Sequence, residues 1–182
     1  MRLFIAINFS KEVIEAIAEI RDNLKEEALR GRFSLDENLH LTLVFIGECD
    51  AKQTEDIKSV LDDTRFNGFT LELERVGHFK RDGGDTWWIG IRENRLLSDL
   101  QADLSERLKQ KGFTLENRKY TPHITIGREV KMPAQFVAPK MERVRFDVSS
   151  IELMKSERIN GKLVYKVMNS LQKSGIFAEN RF

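Results

Sequence analysis

His40-Leu41-Thr42-Leu43-Val44-Phe45-Ile46-Gly47 and Pro122-His123-Ile124-Thr125-Ile126-Gly127-Arg128 are one pattern written twice. Each is a His-x-Thr run inside an apolar, strand-like segment, one in each half of a 182-residue chain that has three histidines. Residues i and i+2 of a strand point to the same face. His40 therefore shares a face with Thr42, and His123 with Thr125. The opposite faces carry Leu39, Leu41, Leu43 and Phe45 in the first run and Ile124 and Ile126 in the second. Each strand has an oily side to bury and a side that pairs an imidazole with a hydroxyl. If the two halves pack together, four polar groups converge in one cleft.

Around these runs the chain reads as alternating helices and strands with no linker or low-complexity segment. Leu3 to Phe9 is an expected strand, and Ser10 an N-cap whose hydroxyl accepts from the first helical turn. Val13, Ile17, Ile20, Leu24 and Ala28 follow at helical spacing, with Gly31 as the helix exit. Asn38 to Ile46 is the first motif strand. Asp50 caps a second helix with Ile57, Val60 and Leu61 inward, and Asn67-Gly68 breaks it. Phe69 to Phe79 and Trp87 to Ile91 are strands joined by the turn at 81–85. Asn94 caps a third helix striped by Leu97, Leu100, Leu104 and Leu108, and Gly112 stops it. Tyr120 to Arg128 is the second motif strand, 131–139 a loop, and Val144 to Met154 one strand. Asn160-Gly161 supplies the two positive-φ residues of a type I′ hairpin turn. Residues 174–182 show no period and receive no role. A long helix and a His-x-Thr strand in each half suggest two pseudo-symmetric α+β lobes, each an antiparallel sheet backed by helices. The expected unit is a single domain, 1–182, made of those two lobes.

Composition narrows the function. Hydrophobic residues make up 41% and charged residues 32%, and Lys+Arg total 30 against Asp+Glu 29, a net charge of +1. Such a balance disfavours a broad basic surface for long duplexes but allows a small basic pocket for a phosphate group. The single Cys49 excludes an internal disulfide and a Cys-rich zinc site. The apolar run Met1–Ile7 is too short for a signal peptide, and no stretch is long enough to span a membrane. A cytoplasmic monomer is the expectation, with no oligomer signal in the sequence.

The two runs resemble the paired HxTx signatures of the 2H phosphoesterase superfamily, and among its members the RNA 2',3'-cyclic phosphodiesterases, also called 2'-5' RNA ligases. HLTLVFIG and TPHITIGR carry the resemblance, together with RLFIAINF, VGHF followed by WWIGI, and the late hairpin SERINGKLVYKV. It covers nearly the whole chain to about Leu171. The resemblance implies a bilobal fold with two antiparallel sheets lining a central cleft and helices on the outside. It also implies His40 as proton donor to the leaving 3'-oxygen and His123 as the acceptor that activates water. RNA with 2',3'-cyclic phosphate ends, or small cyclic nucleotides, would be the substrates and a 2'-phosphate the product. Arg128 matches the arginine of the family's HxTxxR form, which holds phosphate. Strict alternation puts Arg128 on the face opposite His123 and Thr125, unless a bulge or strand end at Gly127 redirects it.

That chemistry suits the residues. Opening a cyclic phosphodiester takes a proton from water and gives one to a ribose oxygen. Two imidazoles with pKa values near the ordinary ~6.5 can do both, one neutral and one protonated. Thr42 and Thr125 can donate to non-bridging phosphate oxygens. No cofactor is required, and no sequence pattern of metal-ligand spacing is present. His78 lacks a partner pattern and reads as structural. Trp87 and Trp88 should face opposite sides, mainly for packing. Tyr120, Phe9 and Phe45 could line a base pocket or the core. Asp85 stands where related sequences often carry an arginine, so a substrate contact is expected to be missing there.

Other functions compete with this one. Lys80-Arg81-Asp82-Gly83 spells the KxDG of covalent nucleotidyltransferases, but without companion motifs. A non-catalytic RNA- or nucleotide-binding module would not need a matched acid and base. A phosphodiesterase for another cyclic phosphate, such as that of ADP-ribose, and reversible ATP-independent 2'-5' ligation of RNA both stay within the same chemistry.

Overall fold

The computed structural model describes residues 1–174; the remainder of the C-terminal stretch lies outside the described residues. Two antiparallel sheets are formed. The four-stranded sheet runs β3 (Leu41–Glu48), β1 (Arg2–Ile7), β8 (Ser150–Ile159), β9 (Lys162–Gln172). The five-stranded sheet runs β2 (Arg30–Phe33), β6 (His123–Lys131), β5 (Asp85–Ile91), β4 (Phe69–Phe79), β7 (Arg145–Val148). The sheets are not the two halves of the sequence. β2 leaves the N-terminal half to pair with β6, and β8 returns from the C-terminal half to pair with β1, with β9 on its outer side.

One continuous core joins the inner faces of both sheets to α1 (Lys11–Glu27), α2 (Ala51–Asp63) and α3 (Arg95–Gln110). The helices follow the sequence pattern closely. Ile57, Val60 and Leu61 of α2 are buried, as are Leu97, Leu100, Leu104 and Leu108 of α3. Burial of each such side chain contributes about 1.5–3 kcal/mol. Asp50 and Gln53 form a reciprocal capping box on α2, and the Asn94 side chain accepts from the Leu97 N–H of α3. Among the described residues no helix is long and apolar enough to cross a membrane.

The structure corrects several expectations. Ser10 occupies the N-cap of α1, but its side chain makes no capping hydrogen bond. Gly31 is not a helix exit: α1 stops at Glu27 and Gly31 lies in β2. A Cβ there would sit 2.7 Å from Val130 Cγ2, so the close approach of β2 to β6 requires glycine. Val144 to Met154 is not one strand. The chain breaks at Ser149, β7 ending the five-stranded sheet and β8 entering the four-stranded one. Asn38 belongs to a 3-10 turn (Asp36–Asn38), and β3 begins only at Leu41. The Asn160-Gly161 turn forms as read, with φ of 50° and 79°.

Candidate active site

His40 and His123 line one cleft of about 1320 Å³ between the sheets, together with Thr42, Thr125 and Arg128. The two histidines are held in matching ways. His40 Nδ1 lies 2.8 Å from the Asn38 carbonyl and His123 Nδ1 2.7 Å from the Thr121 carbonyl, each two residues earlier. A carbonyl only accepts, so each Nδ1 carries the proton and each Nε2 is the unprotonated nitrogen of the neutral ring. His40 Nε2 meets Thr42 Oγ1 at 3.1 Å. Each imidazole also packs on two aromatic rings. Phe4 and Tyr165 lie 4.9 Å from His40, and Phe79 and Trp88 lie 5.3 and 6.4 Å from His123.

The backbone carbonyls of the two threonines are fixed in parallel fashion. Tyr120 donates its hydroxyl to the Thr42 carbonyl at 3.0 Å, and Ser34 donates to the Thr125 carbonyl at 2.8 Å. Burial pushes the Tyr120 phenol pKa up, so it stays protonated and remains a donor. Arg21, only 8% exposed, ties α1 to the segment before His40 through the Ser34 carbonyl and Asp36. These supports join residues far apart in sequence and have no local signature.

Bulges redirect two residues of the motif strands. On β3, Thr42 pairs with Ala6 but Val44 pairs with Ile5, so Leu43 is an extra residue and the alternation reverses. Strict alternation would bury Phe45 with Leu41 and Leu43; instead it turns into the cleft, 40% exposed, with the Arg2 guanidinium 5.1 Å from its ring centre. On β6, Thr125 pairs with Trp88 and Gly127 with Trp87, which makes Ile126 the extra residue. Arg128 therefore returns to the face of His123 and Thr125. Gly127 permits this, because a Cβ there would lie 2.8 Å from Val130 Cγ2. Neighbouring Glu129 is engaged by Arg32, which leaves Arg128 to the cleft.

Burial is the main cause that lowers both histidine pKa values below the ordinary imidazole value. The charges of Arg128 and His123 lower that of His40 further, and those of Arg118 and Arg128 that of His123. The free site is thus poised to gain a proton when an anion enters. Among the described residues no three His, Cys, Asp or Glu side chains gather as a metal site.

The remaining candidates fall outside this centre. His78 stacks on Trp87 and pairs with Asp85 at 2.7 Å. Trp87 and Trp88 do face opposite sides, yet both are buried: Trp87 in the core, Trp88 against Phe79 and Arg75. Phe9 packs against the core and Phe146. Lys80 is exposed at the end of the β4–β5 hairpin and is not among the cleft-lining residues.

Known proteins resemble this chain in sequence and in fold. The family model of the 2'-5' RNA ligase superfamily matches residues 9–160. An RNA 2',3'-cyclic phosphodiesterase of Thermotoga maritima is 35% identical over 131 residues, 70% of each chain. The Escherichia coli protein of the same name is 32% identical over 166 residues, 90% of this chain and 92% of that one. A crystal structure of Escherichia coli LigT complexed with 3'-AMP superposes with a TM-score of 0.85 at 30% identity, covering 96% of this chain and 98% of that one. Sequence match and fold agree over most of both molecules, and the chain belongs to the 2'-5' RNA ligase superfamily.

Proposed function

We propose that this protein hydrolyses RNA 2',3'-cyclic phosphate ends to 2'-phosphomonoesters by two-histidine acid–base catalysis. The observation that carries this reading is the matched pair of Nδ1–carbonyl contacts, which leaves the two Nε2 atoms as the reactive atoms of one cleft. The names of the relatives point the same way. In this reading a water oxygen attacks phosphorus and gives its proton to His123 Nε2. The bond from phosphorus to the 3'-oxygen breaks, and His40 Nε2 protonates that oxygen. The two imidazoles end with exchanged protonation and reset through solvent. Thr42, Thr125 and Arg128 bind the non-bridging oxygens, where charge builds as water attacks. The scheme needs no metal or cofactor, and it operates in a monomer. With an RNA 5'-hydroxyl in place of water, the same transfers join two ends through a 2'-5' linkage without ATP.

Incubation of a 2',3'-cyclic-phosphate-ended oligonucleotide with the protein in EDTA tests this reading. Turnover to a 2'-phosphate is expected. Activity lost to EDTA and restored by a divalent ion would remove the metal-free claim, and binding without turnover would leave only a binding module.

Two further outcomes follow from the geometry. The reactive form has one imidazole protonated and the other neutral, so it is most abundant between the two pKa values. Both lie below the ordinary value in the free protein, which places the optimum of kcat/KM on the acid side of about 6.5. The rate falls as pH rises through the upper pKa, where the acid is lost, and as pH drops through the lower, where the base is protonated. A bound phosphate anion raises both, so the alkaline limb of kcat should lie at higher pH than that of kcat/KM. Separate pH profiles of the two constants check this. Phe45, exposed in the cleft, is a stacking platform for the terminal base. Phe45→Ala should raise KM by roughly 5- to 150-fold, from a stacking contribution of about 1–3 kcal/mol, with the smaller effect on kcat.

A further inference from the structure

The sheet face that bears His123 continues beyond the cleft. On β5, Trp87, Ile89 and Ile91 point into the core, as do Leu71 and Leu73 of β4 and Phe146 and Val148 of β7. Alternation then places Trp88, Gly90 and Arg92, Glu72, and Arg145 on the face of His123 and Thr125. Arg75 joins them through the register shift between Leu73 and Val76, and its guanidinium lies 5.8 Å from the Trp88 ring centre.

Arginines are concentrated here around one carboxylate. Glu72, 16% exposed at its side chain, has Arg92 Nη1 at 2.9 Å, Arg145 Nε at 3.7 Å and Arg143 Nε at 3.8 Å. One carboxylate balances one guanidinium, and a second or third beside it is not needed to neutralise Glu72. Glu74 and Asp147 lie on β4 and β7, and the exposed Glu93 and Glu142 adjoin Arg92 and Arg143 in the chain. Asp147 accepts from Thr70 Oγ1 at 2.6 Å, and none of these four carboxylates pairs with the arginines among the described residues. All four arginines remain exposed at the surface. Exposed guanidinium groups on a carboxylate they outnumber suit a polyanion, because each offers a donor fork that matches phosphate oxygens.

The spacing connects this row to the catalytic pair. Gly90 lies opposite His123, Arg92 is two residues further along β5, and the Arg92 N–H donates to the Glu72 carbonyl. Glu72 in turn lies opposite Arg145 on β7. With strands about 4.8 Å apart and residues about 3.3 Å apart along them, Arg92 begins about 8 Å from His123 and the row extends away from it.

We propose that Arg75, Arg92, Arg143 and Arg145 hold the sugar-phosphate backbone of the nucleotides preceding a cyclic phosphate end. The face is then a determinant of specificity that favours RNA ends over free cyclic mononucleotides. This inference rests on the hydrolase reading above.

The test compares the wild type with an Arg92→Gln/Arg143→Gln/Arg145→Gln variant on two substrates, a 2',3'-cyclic mononucleotide and an oligonucleotide ending in the same cyclic nucleotide. The variant should leave mononucleotide kinetics within about twofold and raise the oligonucleotide KM by about tenfold or more. The dependence of log KM on log salt should become shallower by about 0.7 for each phosphate that the variant no longer neutralises. Glu72→Gln keeps the arginines and removes the competing charge, so its oligonucleotide KM should fall. An equal loss on both substrates, an undiminished oligonucleotide affinity, or an unchanged KM in Glu72→Gln would overturn the proposal. So would an oligonucleotide-specific loss found instead in Arg158→Gln/Lys162→Gln, which would run the strand along the β8–β9 hairpin. Failure of the wild type to turn over either substrate would strike the hydrolase reading itself.

Discussion

His40→Ala and His123→Ala should each lower kcat by about 10²- to 10⁴-fold, the usual contribution of a positioned acid or base. The two losses should not multiply. In the proposed mechanism donor and acceptor act in one proton-coupled step, so the double variant should be little worse than either single one. The variants differ in their structural cost. His40 sits between Phe4 and Tyr165, both 4.9 Å away, and truncation there removes packing as well as chemistry. His123 borders Phe79 and Trp88 at the more open side of the cleft and should lose less stability. Steady-state kinetics with thermal melts separates the two effects. Full activity in either folded variant would contradict the mechanism.

Arg128→Ala should reduce kcat/KM by about 10²- to 10³-fold, the range for loss of one preorganised charge-stabilising donor. Arg128→Lys should recover part of the loss, because the point charge returns without the planar fork. The reason for so large an effect is the bulge at Ile126. It brings Arg128 to the same face as His123, where its charge also acts on both imidazoles. Removing that charge should move the pH optimum of kcat/KM upward, since Arg128 helps to hold both histidine pKa values down. A rate loss below about threefold with no shift in the profile would assign Arg128 no part in the reaction.

What the sequence discloses and what it conceals divides along the range of the interactions. Asp50 with Gln53, Asn94, and Asn160-Gly161 are local devices, and each forms where a few adjacent residues place it. The two His-x-Thr strands are equally local, and their polar groups do line one cleft. β2 escapes a reading of the sequence because Arg30-Gly31-Arg32-Phe33 is a short, mostly exposed edge strand without alternation, made a strand by its partner β6. The break at Ser149 is hidden because Val144 to Met154 continues one apolar pattern across two sheets. Alternation puts Phe45 on the wrong face because a one-residue bulge opposite β1 reverses the pattern. Arg21, Ser34 and Tyr120 support the site through backbone carbonyls or a carboxylate distant in sequence, and residue type alone does not disclose such partners.

The central claim is that His40 gives a proton to the 3'-oxygen while His123 takes one from water. The position of phosphate in the product reads this out most directly. An oligonucleotide bearing a 2',3'-cyclic phosphate, hydrolysed in EDTA and resolved by chromatography against 2'- and 3'-phosphate standards, should yield the 2'-phosphate. A 3'-phosphate product would contradict the assignment, since the 2'-oxygen would then have been the leaving group and the two imidazoles would hold opposite roles.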